Sequence, residues 1–276
     1  MKISASIYSN NDRSLENLIK DLDNYNIDMF HVDFNDKKID IKEVEDDIVE
    51  IRKISNKPID LHIISDTPNQ YSKFIIENKV EYVTYQLENI QEKLDFPISK
   101  KTKFGIAITS MTGINEFEKY KNDCDFILLM TTTPGESGGK FNNINFKKIR
   151  EFKKSYPSKK IHIDGGVNDE IAFILRIHGV KSVVSGSYLV NGDIAKSLLE
   201  LKSSVSSSQI KVSVFITVSS VDYHLVKDAP VPAQSAIQIL DGGAKFVLQN
   251  GDALKVQSDT ASSADVWFSR VDTISE

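Results

Sequence analysis

Three short segments, far apart in the chain, hold residues whose types and spacing could do chemistry: His31-Val32-Asp33, Leu61-His62-Ile63 and His162-Ile163-Asp164-Gly165-Gly166. Each falls where an apolar run ends and a loop begins. Residues two apart on a strand point to the same face, so His31 and Asp33 can look into one cavity. With His62 and Asp164 they offer two imidazoles and two carboxylates, a donor set suited to a divalent transition metal. Taken singly, each has a plainer reading: a hydrogen-bonded surface histidine, or an aspartate that caps the helix that follows. Their joint placement at the ends of three apolar runs raises them above it. His162, His178 and His224 lack such company and keep the plain reading.

Glycine-rich loops form a second group. Pro134-Gly135-Glu136-Ser137-Gly138-Gly139, Gly165-Gly166-Val167 and Gly186-Ser187 follow three successive apolar runs. Any one pair is commonly just a turn. Three in succession suggest backbone N–H groups drawn up around an anion.

The elements that must carry these residues alternate in a regular way. Short apolar runs at 3–8, 29–33, 59–64, 82–86, 104–109, 126–130, 160–164 and 182–185 read as strands. Amphipathic stretches at 14–24, 41–54, 69–78, 90–94, 113–120, 144–155, 169–178 and 193–201 read as helices. Eight such units in about 200 residues predict a closed eight-stranded parallel (β/α)8 TIM barrel, whose chemistry collects at the carboxyl ends of its strands. An open doubly wound sheet is the other topology open to this alternation.

Composition changes after Leu201. Residues 203–208 are a serine-rich linker, so residues 1–202 read as the barrel. Beyond the linker lysines become rare, and short alternating runs at 212–218, 223–226, 236–240, 246–249, 254–257 and 266–269 are divided by turn signals. These are Asp241-Gly242-Gly243, Asn250-Gly251-Asp252 and the Pro230/Pro232 pair. Residues 209–276 therefore read as a small all-β module, with Trp267 as a core aromatic.

The 276 residues are 40% hydrophobic and 26% charged, with a net charge of -5. Nucleic acid is not expected as a partner of so acidic a chain. The single cysteine, Cys124, excludes an internal disulfide framework and a cysteine zinc cluster; its place before an apolar run suits a buried small residue. No run approaches the roughly 20 apolar residues of a membrane span, and no signal peptide is visible, so a cytoplasmic location without membrane attachment is expected.

The first domain resembles the ribulose-phosphate 3-epimerases from Lys2 to about Val190. The resemblance is carried by Ser4-Ala5-Ser6-Ile7, His31-Val32-Asp33, Asp60-Leu61-His62, Leu128-Leu129-Met130 with Pro134-Gly135, Asp164-Gly165-Gly166-Val167, and Ser185-Gly186-Ser187. It implies that His31, Asp33, His62 and Asp164 bind one divalent metal ion (Zn, Fe, Mn or Co). It also implies that Asp33 and Asp164 are the catalytic acid/base pair in epimerisation at carbon 3 of a ketose phosphate, through an enediolate. Ser6 would contact the substrate, and Gly135, Ser137, Gly138, Gly165, Gly166, Gly186 and Ser187 would hold its phosphate.

The sequence departs from the family after Asp33, where Phe34-Asn35-Asp36-Lys37-Lys38-Ile39 replaces Met-Asp-Gly-His-Phe-Val-Pro-Asn. It departs again where Gln86-Leu87-Glu88 replaces His-Leu-Glu, and where Glu136-Ser137-Gly138-Gly139 replaces Phe-Gly-Gly-Gln. These changes leave the identity of the sugar phosphate open. The tail resembles small β modules of phage virion structural proteins over a short stretch, implying assembly or attachment. A homo-oligomer is accordingly expected, with the module as a route of association. The alternative function is a virion or surface protein with a recruited, catalytically altered barrel. Decarboxylation or aldol cleavage on the same barrel would call for a lysine among the strand-end residues, and none clearly stands there.

Overall fold

The computed structural model describes residues 1–10, 12–205, 209–232, 248 and 251–258. The chain divides into two compact units, Met1–Val205 and Ser206–Glu276. In the first, strands β1 (Lys2–Ser6), β2 (Met29–Asn35), β3 (Ile59–Ile64), β4 (Tyr82–Gln86), β5 (Lys103–Ile108), β6 (Phe126–Met130), β7 (Lys160–Asp164) and β8 (Ser182–Ser185) close in sequence order into a parallel barrel, β8 pairing with β1. Around them run α1 (Leu15–Asn24), α2 (Ile41–Ile54), α3 (Ser72–Glu77), α4 (Ile144–Ser155), α5 (Asp169–Ile177), α6 (Ser187–Val190) and α7 (Ile194–Val205). The expected TIM barrel is the observed fold.

Strand parity divides the barrel into two chemistries. Ile3, Val32, Leu61, Val83, Ile106, Ile127, Ile163 and Val183 join Leu18, Ile48, Ile149, Leu175 and Leu198 of the helices in one apolar core. The alternate positions turn inward, and many are polar: Ser4, His31, Asp60, His62, Thr84, His162 and Ser182 are all buried. At the amino ends of the strands, the acidic residue before each of β2, β4 and β6 ties down the neighbouring strand. Asp28, Glu81 and Asp125 accept the N–H groups of Ile3, Ile59 and Phe104 at 2.9, 2.9 and 3.2 Å.

Several expected elements differ. The first strand ends at Ser6, and Ile7–Ser9 forms a 3-10 turn. The helix expected at 90–94 is absent: after a 3-10 turn at Leu87–Asn89 the chain is irregular up to β5. Ile90 and Leu94 have helical spacing, yet that segment spends its polar groups on the preceding loop. Gln91 N–H donates to Asp66 O at 2.9 Å and Glu92 accepts from Asn69 N–H at 2.8 Å. The stretch expected as helix at 113–120 is a 3-10 helix, Ile114–Lys119. Helix α7 runs on through Ser203 and Ser204 to Val205 because Leu198, Leu201 and Val205 stay on its buried face, so these two serines, expected in the linker, are helical.

In the second unit, β9 (Gln209–Val218), β10 (Val221–Pro232) and β11 (Ala253–Ser258) form an antiparallel sheet in the order β10-β9-β11. Val212, Val214 and Val231 are its buried apolar cluster. Ser219 and Ser220, both at positive φ (48° and 68°), make the tight hairpin between β9 and β10. Pro230 and Pro232, expected in a turn, belong instead to β10, an edge strand among the described residues, where a residue without an N–H is tolerated. The runs at 236–240 and 266–269, Trp267, and 246–249 apart from Leu248 lie outside the described residues.

Candidate metal centre and active site

The inward parity of β2, β3 and β7 brings His31, Asp33, His62 and Asp164 together: one ligand atom from each lies within 4.8 Å of all the others. His31 is wholly enclosed. Its Nδ1–H donates to Asp60 Oδ2 at 3.0 Å, and Asp60 also accepts from Ser4 Oγ at 3.0 Å. That leaves His31 Nε2 facing the cluster. It is buried with no hydrogen-bond partner, with Asp33 Oδ1 at 3.4 Å and Asp164 Oδ2 at 3.5 Å. His62 is oriented in the opposite sense. Acceptors face both of its ring nitrogens: Gln86 Oε1 stands 2.8 Å from Nε2, and Asp33 Oδ1 stands 3.0 Å from Nδ1.

The electrostatics follow from burial in company. Enclosure disfavours an imidazolium at His31, but Asp33, Asp60 and Asp164 outweigh it and hold the group well above its ordinary value. Burial likewise works against the Asp33 carboxylate, yet His31 and His62 carry it far below the usual carboxylate range. Asp60, also buried, is lowered chiefly by His31. Anionic oxygens thus converge on His31 Nε2, the one ring nitrogen of that residue left without a hydrogen-bond partner. A divalent cation would take the place of its proton, and the donor set fits a transition metal. Asp60 behind His31 and Gln86 behind His62 supply the outer hydrogen bonds that such ligands need.

Above this cluster lies a cavity of about 630 Å³ whose wall includes Asp33 and Asp164. Ser6, Gly135, Ser137, Gly138, Gly165, Gly166, Gly186 and Ser187 all line it, so the structure gathers every expected substrate and phosphate residue around one space. Two glycines are sterically demanded. Gly165 and Gly166 have φ of +111° and +63°, and a Cβ at Gly166 would stand 2.2 Å from the backbone N of Phe141. Their loop and the loop after β6 therefore touch backbone to backbone.

His162, two residues before Asp164 on β7, is stacked on Phe126 at 4.1 Å, and its burial pushes the imidazole down to about 4. It is a neutral packing residue. Cys124 is buried. Sequence reading did not single out Asp60 or Gln86 as parts of the site, nor Ser9, Lys140 and Asn168, which also line the cavity. Strand parity was the available signal for the first two: Asp60 precedes His62 by two residues, and Gln86 ends β4 in register beside that strand.

A closed (β/α)8 barrel with a buried two-histidine, two-carboxylate cluster at the carboxyl ends of its strands defines the class of protein. The chain belongs to the ribulose-phosphate 3-epimerase family, an isomerase family, whose model matches residues 2–190. It is 28% identical over 218 residues to a ribulose-phosphate 3-epimerase of Bacillus subtilis, covering 74% of this chain and 99% of that protein. The enzyme of the same description from Methanocaldococcus jannaschii is 28% identical over 212 residues, 72% of this chain and 88% of its own. Among solved structures, 3-hexulose-6-phosphate synthase from Salmonella typhimurium superposes with a TM-score of 0.55 at 13% identity, over 74% of this chain and 98% of that one. KGPDC from Streptococcus mutans gives 0.55 at 9% identity, over 74% and 96%. These two share the fold. Among the described residues, no helix is long and apolar enough to cross a membrane.

Proposed function

We propose that the barrel epimerises carbon 3 of a ketose phosphate, interconverting D-ribulose 5-phosphate and D-xylulose 5-phosphate. The observation that carries this reading is the convergence of Asp33 and Asp164, both lining one cavity, with two buried histidines. A divalent ion (Zn, Fe, Mn or Co) held by His31, Asp33, His62 and Asp164 would act as a Lewis acid on the C2 carbonyl, making the C3 proton acidic. One aspartate takes that proton as C2=O becomes an enediolate oxygen. The other delivers a proton to the opposite face of C3, and the carbonyl re-forms. The low affinity of Asp33 for protons suits a carboxylate that must be ionised before the substrate arrives. Ser6 holds the substrate's reacting end in this reading, and the backbone of Gly135, Gly138, Gly165, Gly166, Gly186 and Ser187 receives the phosphate, with Ser137 beside it.

The intact cluster argues against a catalytically altered barrel kept as a scaffold, since display alone has no use for two histidines and two aspartates whose ligand atoms converge within 4.8 Å. The test is conversion of D-ribulose 5-phosphate to D-xylulose 5-phosphate by the purified chain. Turnover that a chelator abolishes, and that added metal restores, is expected. Metal-replete protein that turns over no ketose phosphate would overturn the reading.

A further inference from the structure

Gln86 ends β4, and its amide stands directly behind one of the four cluster residues. A glutamine side chain has two unlike ends, and only its surroundings decide which faces where. Here Oε1 stands 2.8 Å from His62 Nε2, and the amide nitrogen donates to Glu88 Oε2 at 2.5 Å. Glu88 Oε1 in turn accepts from Thr109 N–H at 2.8 Å and from the Thr112 hydroxyl. Lys148 braces the same loop, donating to Thr109 O at 2.6 Å and to Thr112 O. Burial would favour the neutral form of Glu88, but its bonds to Thr112, Thr109 and Gln86 outweigh this and lower it, so it stays an ionised acceptor. An ionised carboxylate only accepts, so Gln86 must turn its NH₂ toward Glu88 and its oxygen toward His62. An amide oxygen also only accepts, so when a cation takes Nδ1 the hydrogen left on the His62 ring belongs on Nε2.

We propose that Glu88, acting through Gln86, is a positioning residue that selects the Nε2–H tautomer of His62 and so presents Nδ1 as a bare ligand to the cation. The inference rests on the metal reading given above. Asp33 Oδ1, 3.0 Å from Nδ1, competes for the other tautomer until a cation takes its place. The relay rewards the form that a cation requires.

The probe is Co(II), its affinity for the full chain read by competition with a chromophoric chelator. In Glu88→Gln the new amide can donate to Gln86 Oε1, letting Gln86 reverse and face His62 with its NH₂. Co(II) affinity is then expected to fall about tenfold to a hundredfold. Adding Gln86→Glu restores an acceptor behind Nε2 in either orientation, so the double variant should return to within about threefold of the unaltered chain. A role of Glu88 confined to holding the 109–112 loop would not be rescued in this way. Unchanged affinity in Glu88→Gln, or a double variant as weak as the single, overturns the proposal. Should Glu88→Gln fail to fold, Gln86→Met replaces it: that variant keeps the bulk and removes the acceptor. The same tenfold to hundredfold loss is expected, and undiminished affinity overturns the proposal. An unaltered chain that takes up no cobalt overturns the metal reading as well, which separates the two failures.

Discussion

In the proposed reaction Asp33 and Asp164 do two things at once, and the two can be separated by experiment. Asparagine keeps an oxygen for a cation but cannot take or give the C3 proton. In Asp33→Asn and in Asp164→Asn, epimerisation is expected to fall about 100- to 10,000-fold while metal content persists. Each variant should still exchange the C3 hydrogen of one epimer with deuterated water, because one base remains on one face. Exchange lost for both epimers in both variants, with metal still bound, would rule out the two-base assignment. Asp60 never reaches the cavity, yet it holds His31 Nδ1–H at 3.0 Å and so aims Nε2. Asp60→Asn should weaken metal binding by about tenfold to a hundredfold, read by chelator competition. The four cluster residues were legible because a histidine or aspartate ending an apolar run is visible in the sequence. Asp60 and Gln86 were not, because their meaning lies one strand over, in which acceptor meets which ring nitrogen.

At the scale of elements, the strands were legible almost to the residue, since a barrel strand buried on both sides is a short apolar run closed by a turn. The loops were not. Ile90 and Leu94 are spaced like one face of a helix, and only the contacts of Gln91 and Glu92 with the 66–69 loop show why none forms. Ser203 and Ser204 look like linker, but Val205 pulls them into α7 by burying its own side chain. The Gly165-Gly166 turn was visible in the sequence, while its contact with the 139–141 backbone was not. Gly166→Ala combines a positive φ with a Cβ 2.2 Å from Phe141 N, so the two loops must separate. Loss of about 1–3 kcal/mol of stability is expected in a denaturant melt, with KM for the phosphorylated substrate raised as the cavity wall shifts. An alanine variant that melts and binds like the unaltered chain would show that the loop contact is dispensable.

The interior of the barrel buries polar side chains beside the apolar Ala107, Leu128 and Met130, and those that titrate set how the barrel meets acid. His162 sits in it against Phe126, with burial pushing its imidazole down to about 4 from the ordinary 6.5. Unfolded chain therefore binds a proton between these values that folded chain refuses. The resulting stability is fully present above 6.5 and is lost as pH falls toward 4, amounting to about 3 kcal/mol. The neighbours titrate elsewhere. His31 is held well above its ordinary value, so its contribution is complete below 6.5 and is lost only as pH rises through its folded value. Asp33 and Asp60 are lowered, so theirs is present above the ordinary carboxylate range and is lost only below it. Between pH 6.5 and about 5, the slope of stability against pH thus belongs chiefly to His162, at up to about 1.4 kcal/mol per pH unit. His162→Gln, measured on chelated protein by denaturant melts across this window, should flatten that slope even where it lowers stability at pH 7. A slope unchanged by the substitution would mean that the acid sensitivity of the barrel arises from another group.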